Sequence, residues 1–285
     1  MNDMRLVLPR GEGNLLKCFI ICEQDITLIF RLTFYNMKAT KAVTKLSVII
    51  PTLNEEGYLA DTLRYVLGAF PKPDEIIIVD GGSSDNTIQI ARQFPVRCIQ
   101  LDKAGRGRQM NAGAKQATGS LYCFLHADTL VPENFVSVIT STLNDDEIAC
   151  GGFVSIMKGQ KTRWLVSLHN YVKTWYAALL SRPLLFFFRN WRMLYGDQVM
   201  FCRADVYNKC GGFNEEAPIM EDADFCLKAI HYGKIKLVSQ RVYSSDRRVA
   251  QWGFLKANII YIVMATLWAW GVPPVKLARW YTHIR

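Results

Sequence analysis

The sequence predicts an α/β fold whose largely parallel sheet gathers polar side chains at one edge. Apolar runs of strand length occur at residues 46–50, 75–79 and 121–125, with helix-like segments between them. Strands that alternate with helices are typical of parallel βαβ units. Polar or acidic residues follow each run. Because ligands collect at the carboxyl ends of parallel strands, we expect the functional site there.

Composition places the chain among proteins that bury a sizeable core. It has 285 residues, 50% of them hydrophobic, which is enough for one large domain. Its eight cysteines are scattered without a C-x-x-C pair, mostly in apolar or strand-like segments. We therefore expect reduced core thiols in a reducing compartment, and no structural zinc.

The net charge of +9 is unevenly distributed. Residues 151–196 contain seven basic residues and no acidic ones, whereas residues 46–150 have an acidic excess. Residues 227–285 are again basic. The basic segments are also rich in aromatic residues, and this combination favours an anionic membrane surface. We expect no nucleic-acid partner, because no nucleic-acid-binding motif accompanies the charge.

Residues 1–44 give no clear element. Residues 15–30 are apolar but interrupted by charged side chains. They are therefore too broken for a transmembrane helix, and no small-residue cleavage site marks a signal peptide. Met37 closely precedes the first convincing strand. We expect it to be the biological start, with residues 1–36 as an upstream extension.

The first strand leads into a turn and a helix. Pro51 ends the apolar run, and Thr52 and Asn54 form the turn. Glu55 is expected in the first helical turn, where the helix dipole favours a carboxylate. Apolar residues at helical spacing follow, so one face of this helix should pack on the sheet.

The second strand ends in Asp80 and a turn rich in glycine and serine. This turn offers several N-caps for a helix at residues 87–93, and a weaker strand is expected at residues 96–101. A basic glycine turn and a helix then occupy residues 105–119, with Arg106 near the same edge. Acidic groups at such an edge hydrogen-bond ribose or base, and arginines neutralise phosphate.

The third apolar run leads directly into His126 and Asp128. Mg²⁺ and Mn²⁺ prefer oxygen ligands and often bridge one or two carboxylates to substrate phosphates. Asp128 is therefore a candidate metal ligand. Alternatively, it is a solvated cap for a helix expected at residues 132–143.

Two nucleotide-binding signatures are missing from the sequence. It has neither a G-x-x-x-x-G-K-[ST] phosphate loop nor a G-x-G-x-x-G fingerprint. The Gly-Arg-Gly at residues 105–107 has the wrong continuation for the fingerprint. P-loop nucleotide triphosphatases and NAD enzymes are therefore disfavoured.

Five motifs occur in a fixed order along residues 46–240: SVIIPTLNEE, EIIIVDGGSSDNT, GRGRQMNAG, ATGSLYCFLHADT and GGFNEEAPIMEDADF. Together they resemble family 2 glycosyltransferases of the GT-A fold, a Rossmann-like nucleotide-diphospho-sugar transferase fold. The bacterial radical-SAM/selenodomain-associated subgroup looks most similar. The resemblance implies a catalytic domain at residues 45–245 and an inverting transfer from a nucleotide-diphosphate sugar, usually with Mg²⁺ or Mn²⁺.

The resemblance also implies which residues bind the nucleoside of the donor. Each is carried over from its position in a matching motif. The residues are Pro51, Thr52, Asn54, Glu55 and Asp80.

The remaining matches concern phosphate, metal and catalysis. By the resemblance, Arg106 would approach the donor phosphates, and Asp128 matches the last acid of the D-x-D metal motif. Asp222 matches the catalytic base, with Glu221 as a neighbour that orients it. His126 stands where D-x-D has its first acid. It is therefore either a metal ligand, better suited to Mn²⁺ than to Mg²⁺, or a strand-end residue bonded to the backbone.

The two acids also have a simpler interpretation. A helix is expected from them to His231, and its dipole stabilises carboxylates in the first turn, so part of this cluster is explained by capping alone. An acceptor hydroxyl, however, needs a positioned base, which a carboxylate supplies.

Residues 161–193 are aromatic, basic and free of acids. Apolar residues at helical spacing predict a helix there, with Leu165, Leu168 and Val172 facing the core. The surplus of Trp, Tyr, Phe and Arg exceeds what one buried face needs. It indicates an interfacial surface or an apolar acceptor site.

A basic loop is expected after a strand at residues 236–239. Within it, Arg247 and Arg248 are predicted to close over the donor diphosphate, where positive charge helps the nucleotide to leave. An ordinary exposed basic loop is the alternative.

Residues 246–285 are expected to form a basic, aromatic helical segment. Its apolar stretch at 257–272 has 16 residues, whereas a spanning helix needs about 20. Basic residues on both flanks favour an amphipathic helix in the membrane interface. We therefore expect a peripheral or monotopic enzyme on the cytoplasmic face, with a lipid-linked or membrane-delivered acceptor. Burial of this helix against the catalytic domain is the alternative.

Two other functions stay open at this point. A non-catalytic nucleotide-sugar-binding or membrane-scaffold protein would keep the site without efficient catalysis, and His126 supports it. A nucleotidyltransferase shares the nucleotide-binding α/β logic, although no nucleotidyl-transfer motif is present. Release of nucleoside diphosphate, nucleoside monophosphate or nothing would separate the three.

Overall fold

The computed structural model of this protein describes residues 44–159 and 163–284, with side chains throughout except at residues 248, 254 and 281–284. The chain divides into residues 1–42 and residues 43–285. The predicted extension with its start at Met37 therefore lies, apart from residue 44, outside the described residues.

Eight strands of the described chain form one mixed sheet. They are β1 (Leu46–Thr52), β2 (Glu75–Asp80), β3 (Arg97–Gln100), β4 (Leu121–Phe124), β5 (Thr129–Leu130), β6 (Ile148–Lys158), β7 (Met200–Arg203) and β8 (Lys234–Ser245). Their order across the sheet is β3-β2-β1-β4-β7-β6-β8-β5. The first four strands are parallel to one another. The predicted α/β fold is confirmed.

Helices cover the sheet and continue beyond its last strand. They are α1 (Leu59–Leu67), α2 (Thr87–Ala91), α3 (Arg106–Gln116), α4 (Phe135–Leu143), α5 (Trp164–Ser181), α6 (Pro183–Arg189), α7 (Ala204–Lys209), α8 (Glu221–Ala229), α9 (Arg247–Trp252), α10 (Phe254–Ala269) and α11 (Pro274–Ile284). A short 3-10 turn, Gly196–Gln198, precedes β7.

The parallel half of the sheet is buried on both faces, as its continuous apolar strands predict. Val48 and Ile50 of β1 join one core cluster, whereas Ile49 between them joins the other. Side chains on a strand alternate between the two faces, so both faces are covered. The pairing of β1 with β2 brings Thr52 opposite Asp80. The ends of these two strands therefore lie side by side.

The other half of the sheet departs most from the predictions. β7 runs antiparallel to β4 and β6, and β8 is parallel to β6 and antiparallel to β5. The sequence analysis did not identify β6, because its Gly-Gly pair and mixed composition give no alternating pattern. β8 extends well beyond the predicted residues 236–239, so the predicted basic loop becomes the end of β8 and the start of α9.

Several predicted helix boundaries are wrong. α1 starts at Leu59 rather than at Glu55, because the backbone of residues 54–56 bonds across to the turn after β2. α4 starts at Phe135. Asp128 leads into β5 and does not cap a helix. α8 ends at Ala229, just before the predicted end at His231.

The predicted core face of α5 is also wrong. Leu165, Leu168 and Val172 are 67%, 58% and 42% exposed. The opposite face of the helix is buried instead, and it is largely polar. Its buried polar residues are Ser167, Asn170, Lys173, Thr174 and Ser181.

The C-terminal helices pack partly against α5. Ala257 of α10 and Val249 of α9 form a small buried cluster with Val166. Other apolar residues of α10, including Leu255 and Ile259, are exposed. The helix is therefore apolar on both faces rather than amphipathic, and the alternative of burial against the domain is right for one face. In the described part of the chain, no helix has the length and apolarity to cross a membrane.

Candidate active site

Asp80 anchors the turn at the end of β2. Its carboxylate is fully buried and accepts hydrogen bonds from the Thr52 hydroxyl at 3.1 Å and from the backbone N–H groups of Gly82 and Ser83 at 3.0 and 2.8 Å. Such bonds satisfy a buried carboxylate and fix the turn. In this structure Asp80 organises the turn. Its predicted contact with a nucleoside stays a prediction.

The turn after β1 is bonded to the turn after β2. Pro51 is the register partner of Val79. Asn54 has a φ of 54°, and its side-chain oxygen accepts a hydrogen bond from the Ser84 backbone at 2.8 Å. The Glu55 N–H donates to the Thr87 hydroxyl at 2.8 Å. The predicted nucleoside-binding residues therefore occupy two turns that fix each other.

Gln109 is a site-building residue that the sequence analysis missed. Its buried side-chain amide donates to the backbone oxygens of Thr52 and Val79 at 2.7 and 2.8 Å. It therefore ties α3 to the ends of β1 and β2. The GRGRQMNAG motif contained this residue, but nothing in the sequence indicated where its amide would point.

Arg247 links two of the predicted site residues across the chain. Its guanidinium donates two hydrogen bonds to the Glu55 carboxylate at 2.8 and 2.6 Å and lies 3.2 Å from the Asp128 carboxylate. The bidentate bond to Glu55 raises the pKa of Arg247 above its ordinary value. Such two-point pairing fixes geometry as well as charge. Arg247 is thus near the predicted donor site, facing carboxylates.

A cavity of about 620 Å³ adjoins this group. Asp128 and Arg247 line it, together with Tyr58, Arg163 and Asp246. Of the other predicted site residues whose side chains the structure describes, none lines this cavity. Arg248 lies in α9 beside Arg247, but its side chain is outside the described residues.

A second group of charges forms where α3 meets α8. Arg106 donates to Glu221 at 2.8 Å, and Glu221 is only 1% exposed. The other carboxylate oxygen of Glu221 is buried without a hydrogen-bond partner in the described chain. A buried carboxylate without full compensation is unfavourable. Capping of α8 alone does not explain why this oxygen is removed from water.

Asp222 follows in the same helical turn and is buried. Burial and the neighbouring Glu221 charge raise its pKa to about 8, against the opposing effects of Arg106 and the Gly196 N–H. A carboxyl group that titrates near neutral pH is suited to proton transfer.

His126 lies beside Asp222 at Gly196. A Cβ atom on Gly196 would collide with its Nε2 atom and would be 2.9 Å from Asp222 Oδ2. His126 and Asp222 therefore approach the same small volume beside Gly196. Only glycine fits there, because a Cβ atom at position 196 would overlap the His126 imidazole and crowd the Asp222 carboxylate.

A divalent cation would find one suitable carboxylate here. In the described residues, no group of three or more His, Cys, Asp or Glu side chains is arranged to hold a metal. Asp128 provides an oxygen ligand, and the nearby guanidinium of Arg247 demonstrates that a positive charge is stable beside it. Mg²⁺ commonly takes one or two protein carboxylates and completes its shell with phosphate and water. The residues therefore fit a cation only if a bound phosphate supplies further ligands beside Asp128.

The structure brings seven of the predicted residues into two groups, whereas Pro51, Thr52, Asn54 and Asp80 remain in the turns after β1 and β2. Glu55, Asp128 and Arg247 form the first. Arg106, Glu221 and Asp222 form the second, with His126 at its edge. Arg108, the next arginine of α3, lies 3.6 Å from the Glu215 carboxylate.

Known proteins resemble both the sequence and the fold. The sequence model described as glycosyl transferase family 2 matches residues 47–210. A protein of Rickettsia conorii named as an uncharacterized glycosyltransferase is 27% identical over 71% of this chain and 35% of its own length. The poly(ribitol-phosphate) β-N-acetylglucosaminyltransferase TarS of Staphylococcus aureus is 26% identical over 70% of this chain and 35% of its own. The chain thus spans about a third of these two relatives.

Solved structures resemble the fold at low sequence identity. Residues 1–349 of S. aureus TarS with UDP give a TM-score of 0.53 at 19% identity, covering 83% of this chain and 68% of the other. Glucosyl-3-phosphoglycerate synthase of Mycobacterium tuberculosis, with Mn²⁺, UDP and phosphoglyceric acid, gives 0.59 at 18% identity, covering 82% and 81%. These matches confirm the GT-A-like mixed α/β fold, and the predicted radical-SAM-associated subgroup stays a prediction. With the family model covering more than half of its residues, this chain belongs to glycosyl transferase family 2.

Proposed function

We propose that this protein transfers a sugar from a nucleotide-diphosphate donor to an acceptor hydroxyl, with inversion at the anomeric carbon. The observation that carries the proposal is the position of Asp222. It is a buried carboxyl with a raised pKa, and its side chain meets that of His126 beside Gly196. An acid with these properties accepts a proton near neutral pH.

In the proposed reaction, the acceptor oxygen attacks the anomeric carbon. The bond from that carbon to the diphosphate oxygen breaks, and its electron pair leaves with the nucleotide. Asp222 takes the hydroxyl proton. A single displacement of this kind inverts the configuration of the carbon, and no covalent link to the protein forms.

The donor is proposed to bind against the turns after β1 and β2. Arg106 and Arg247 supply positive charge for the diphosphate, Arg247 by leaving Glu55 and Asp128 for the phosphate oxygens. A divalent cation, when bound, would be held by Asp128 and the donor phosphates and would neutralise the departing charge. Relatives of this fold have been solved with Mn²⁺ or Mg²⁺ and UDP, which supports a cation in the family.

The acceptor is proposed to be lipid-linked or delivered at a membrane surface. Exposed apolar side chains on three neighbouring helices, α5, α6 and α10, support this proposal. We call them the apolar surface: Trp164, Leu165, Leu168, Val172, Leu180, Leu184, Phe187, Phe188, Leu255, Ile259, Ile262 and Val263. Arg189, Lys256 and Lys276 are exposed on the same helices or on the following α11. Large apolar patches with basic residues suit an anionic interface.

The proposed location is the cytoplasmic face of the membrane. The free cysteines of the described chain support it, since an oxidising compartment would favour disulfides.

The alternative is a non-catalytic nucleotide-sugar-binding or scaffold protein. The pairing of Asp128 with Arg247 favours it, because a guanidinium lies where a cation would be needed. Capping of α8 would explain acids at this helix start, but it would not explain the burial of both Glu221 and Asp222, and this makes catalysis the better proposal.

A donor panel would test the proposal. UDP-N-acetylglucosamine, UDP-glucose and GDP-mannose would each be added with and without Mn²⁺, and the melting temperature and nucleoside diphosphate release measured. Stabilisation together with diphosphate release that Asp222→Asn abolishes is the expected result. Stabilisation without release would favour the binding protein. Release of nucleoside monophosphate would contradict both and indicate nucleotidyl transfer.

A further inference from the structure

The polar face of α5 is directed towards one short turn. A buried polar side chain is unfavourable unless it finds a hydrogen-bond partner. Asn170 donates to the Asp197 carboxylate at 2.5 Å, and Thr174 accepts from the Gln198 side chain at 2.9 Å. The partners of both residues lie in the stretch 195–198.

Lys173 adds a third contact to the same turn. Its ammonium lies 3.6 Å from the centre of the Tyr195 ring, a cation–π distance. Burial lowers the pKa of Lys173 to about 8, and the nearby Asp197 charge opposes that effect. Asn170, Lys173 and Thr174 lie on one face of α5. Each contacts a different residue of the turn, namely Asp197, Tyr195 and Gln198.

The turn is held from its other side by β8. The Ser244 hydroxyl donates to the Asp197 backbone oxygen at 3.1 Å and lies 2.9 Å from the Thr129 hydroxyl. The turn thus lies between α5 and the strand that precedes Arg247.

Backbone strain indicates that these contacts are needed. Val199, directly after the turn, has a φ of 51°. A positive φ is a genuine outlier for a β-branched residue and persists only where the surroundings impose it. Met220, directly before Glu221 and Asp222, has a φ of 65°. One strained residue therefore follows the turn 195–198, and the other precedes the Glu221–Asp222 pair. The turn and the pair meet at Gly196.

We infer that Asp197 is a positioning residue for the base Asp222, held in place by Asn170 of α5, while Lys173 holds the same turn through Tyr195. Asp197 fixes the turn, and the turn places the Gly196 N–H against the Asp222 carboxylate and leaves room for His126. This inference rests on the proposed function. The inference also explains why the buried face of α5 is polar, although the exposed face of the same helix belongs to the apolar surface.

The test compares full-length variants by diphosphate release from UDP-N-acetylglucosamine, UDP-glucose and GDP-mannose, with water as the acceptor. Asp197→Ala should lower kcat by about 100-fold, the effect of misplacing a reacting group by about 1 Å. The donor KM should change by less than about twofold, because Asp197 does not contact the predicted donor residues. Asp197→Asn keeps an acceptor oxygen for Asn170 and should restore most of kcat.

Asn170→Ala should also lower kcat without changing KM. Combined with Asp197→Ala, it should add little, because both changes remove the same hydrogen bond. Ser181→Ala is the matched control: Ser181 is a buried polar residue on the same helix face that bonds to Trp191 and not to the turn. It should leave kcat unchanged.

Three outcomes would overturn the inference. One is normal kcat in Asp197→Ala while Asp222→Asn is inactive; the proposed function would then stand without it. Another is an equal loss of kcat in Ser181→Ala, which would indicate general destabilisation. The third is normal turnover in Asp222→Asn, which would remove the proposed base and the inference together.

Discussion

The buried pair Glu221–Asp222 gives a quantitative prediction for the pH dependence of catalysis. A base must be deprotonated to accept a proton, so activity should rise with pH through the pKa of Asp222, which is about 8. With that pKa, about one tenth of the molecules are ionised at pH 7 and about nine tenths at pH 9. We therefore expect kcat/KM, which reflects the free enzyme, to rise about tenfold between these values.

Glu221→Gln tests the origin of this pKa. The substitution removes the adjacent like charge and leaves Arg106 without its carboxylate partner, and both changes favour ionised Asp222. A shift of about one unit, or about 1.4 kcal/mol, is a conservative expectation for the loss of a close like charge. About half of the molecules would then be ionised at pH 7. When each enzyme's kcat/KM at pH 7 is divided by its own value at high pH, the ratio for Glu221→Gln should be about fivefold that of the native enzyme.

The assay measures nucleoside diphosphate release at low donor concentration from pH 6 to pH 10. Asp224→Asn is the matched control, since Asp224 is in the same helical turn but pairs with Lys228 at 2.8 Å. Its profile should coincide with the native one. A native profile that is flat or falls as pH rises through 8 would refute the assignment of Asp222. An unmoved profile in Glu221→Gln would refute the electrostatic explanation.

Three further predictions concern the cation, the membrane and the site backbone. Asp128→Asn should weaken stabilisation by nucleotide sugar plus Mn²⁺ by several degrees in a melting experiment, and unchanged stabilisation would exclude Asp128 as a ligand. Leu168→Asp should reduce sedimentation with anionic vesicles while changing stability by less than about 0.5 kcal/mol, as for exposed sites generally; undiminished sedimentation would contradict the proposed surface. Gly196→Ala should lower turnover by about 100-fold through misplacement of the base. Gly57→Ala, where a Cβ meets nothing within 4 Å, should not, and equal effects would contradict the steric explanation.

The sequence predicted the parallel half of the sheet well because its signal is local. Continuous apolar runs in β1, β2 and β4 identify buried strands without reference to the rest of the chain. β6 and the true length of β8 escaped this reasoning. The second half of β8 is mostly polar and glycines interrupt β6, so the pairing of these two strands determines their structure. A pairing between distant segments leaves little trace in either segment alone.

The candidate site residues could be proposed one by one from their motifs, but their arrangement could not be predicted. Motif positions identified Glu55, Asp128 and Asp222, whereas the contact from Arg247 to Glu55 spans 192 positions in the chain and has no local signature. The error on α5 has a similar cause. Helical periodicity detects an apolar stripe, but it does not say whether protein or something else covers that stripe. In this protein the polar side chains of α5 bond to partners in the interior, and the apolar stripe of the helix is exposed.

The packing of the last helices affects how a well-behaved sample of this protein should be prepared. Removing the chain after β8 would delete Arg247, the partner of Glu55, and would uncover the apolar contacts of Ala257 with Val166. A shortened protein would therefore expose new apolar surface and would lose a contact of the candidate site. Replacing outward-facing leucines by charged residues, with every helix kept, is the sounder route to crystals or concentrated solutions.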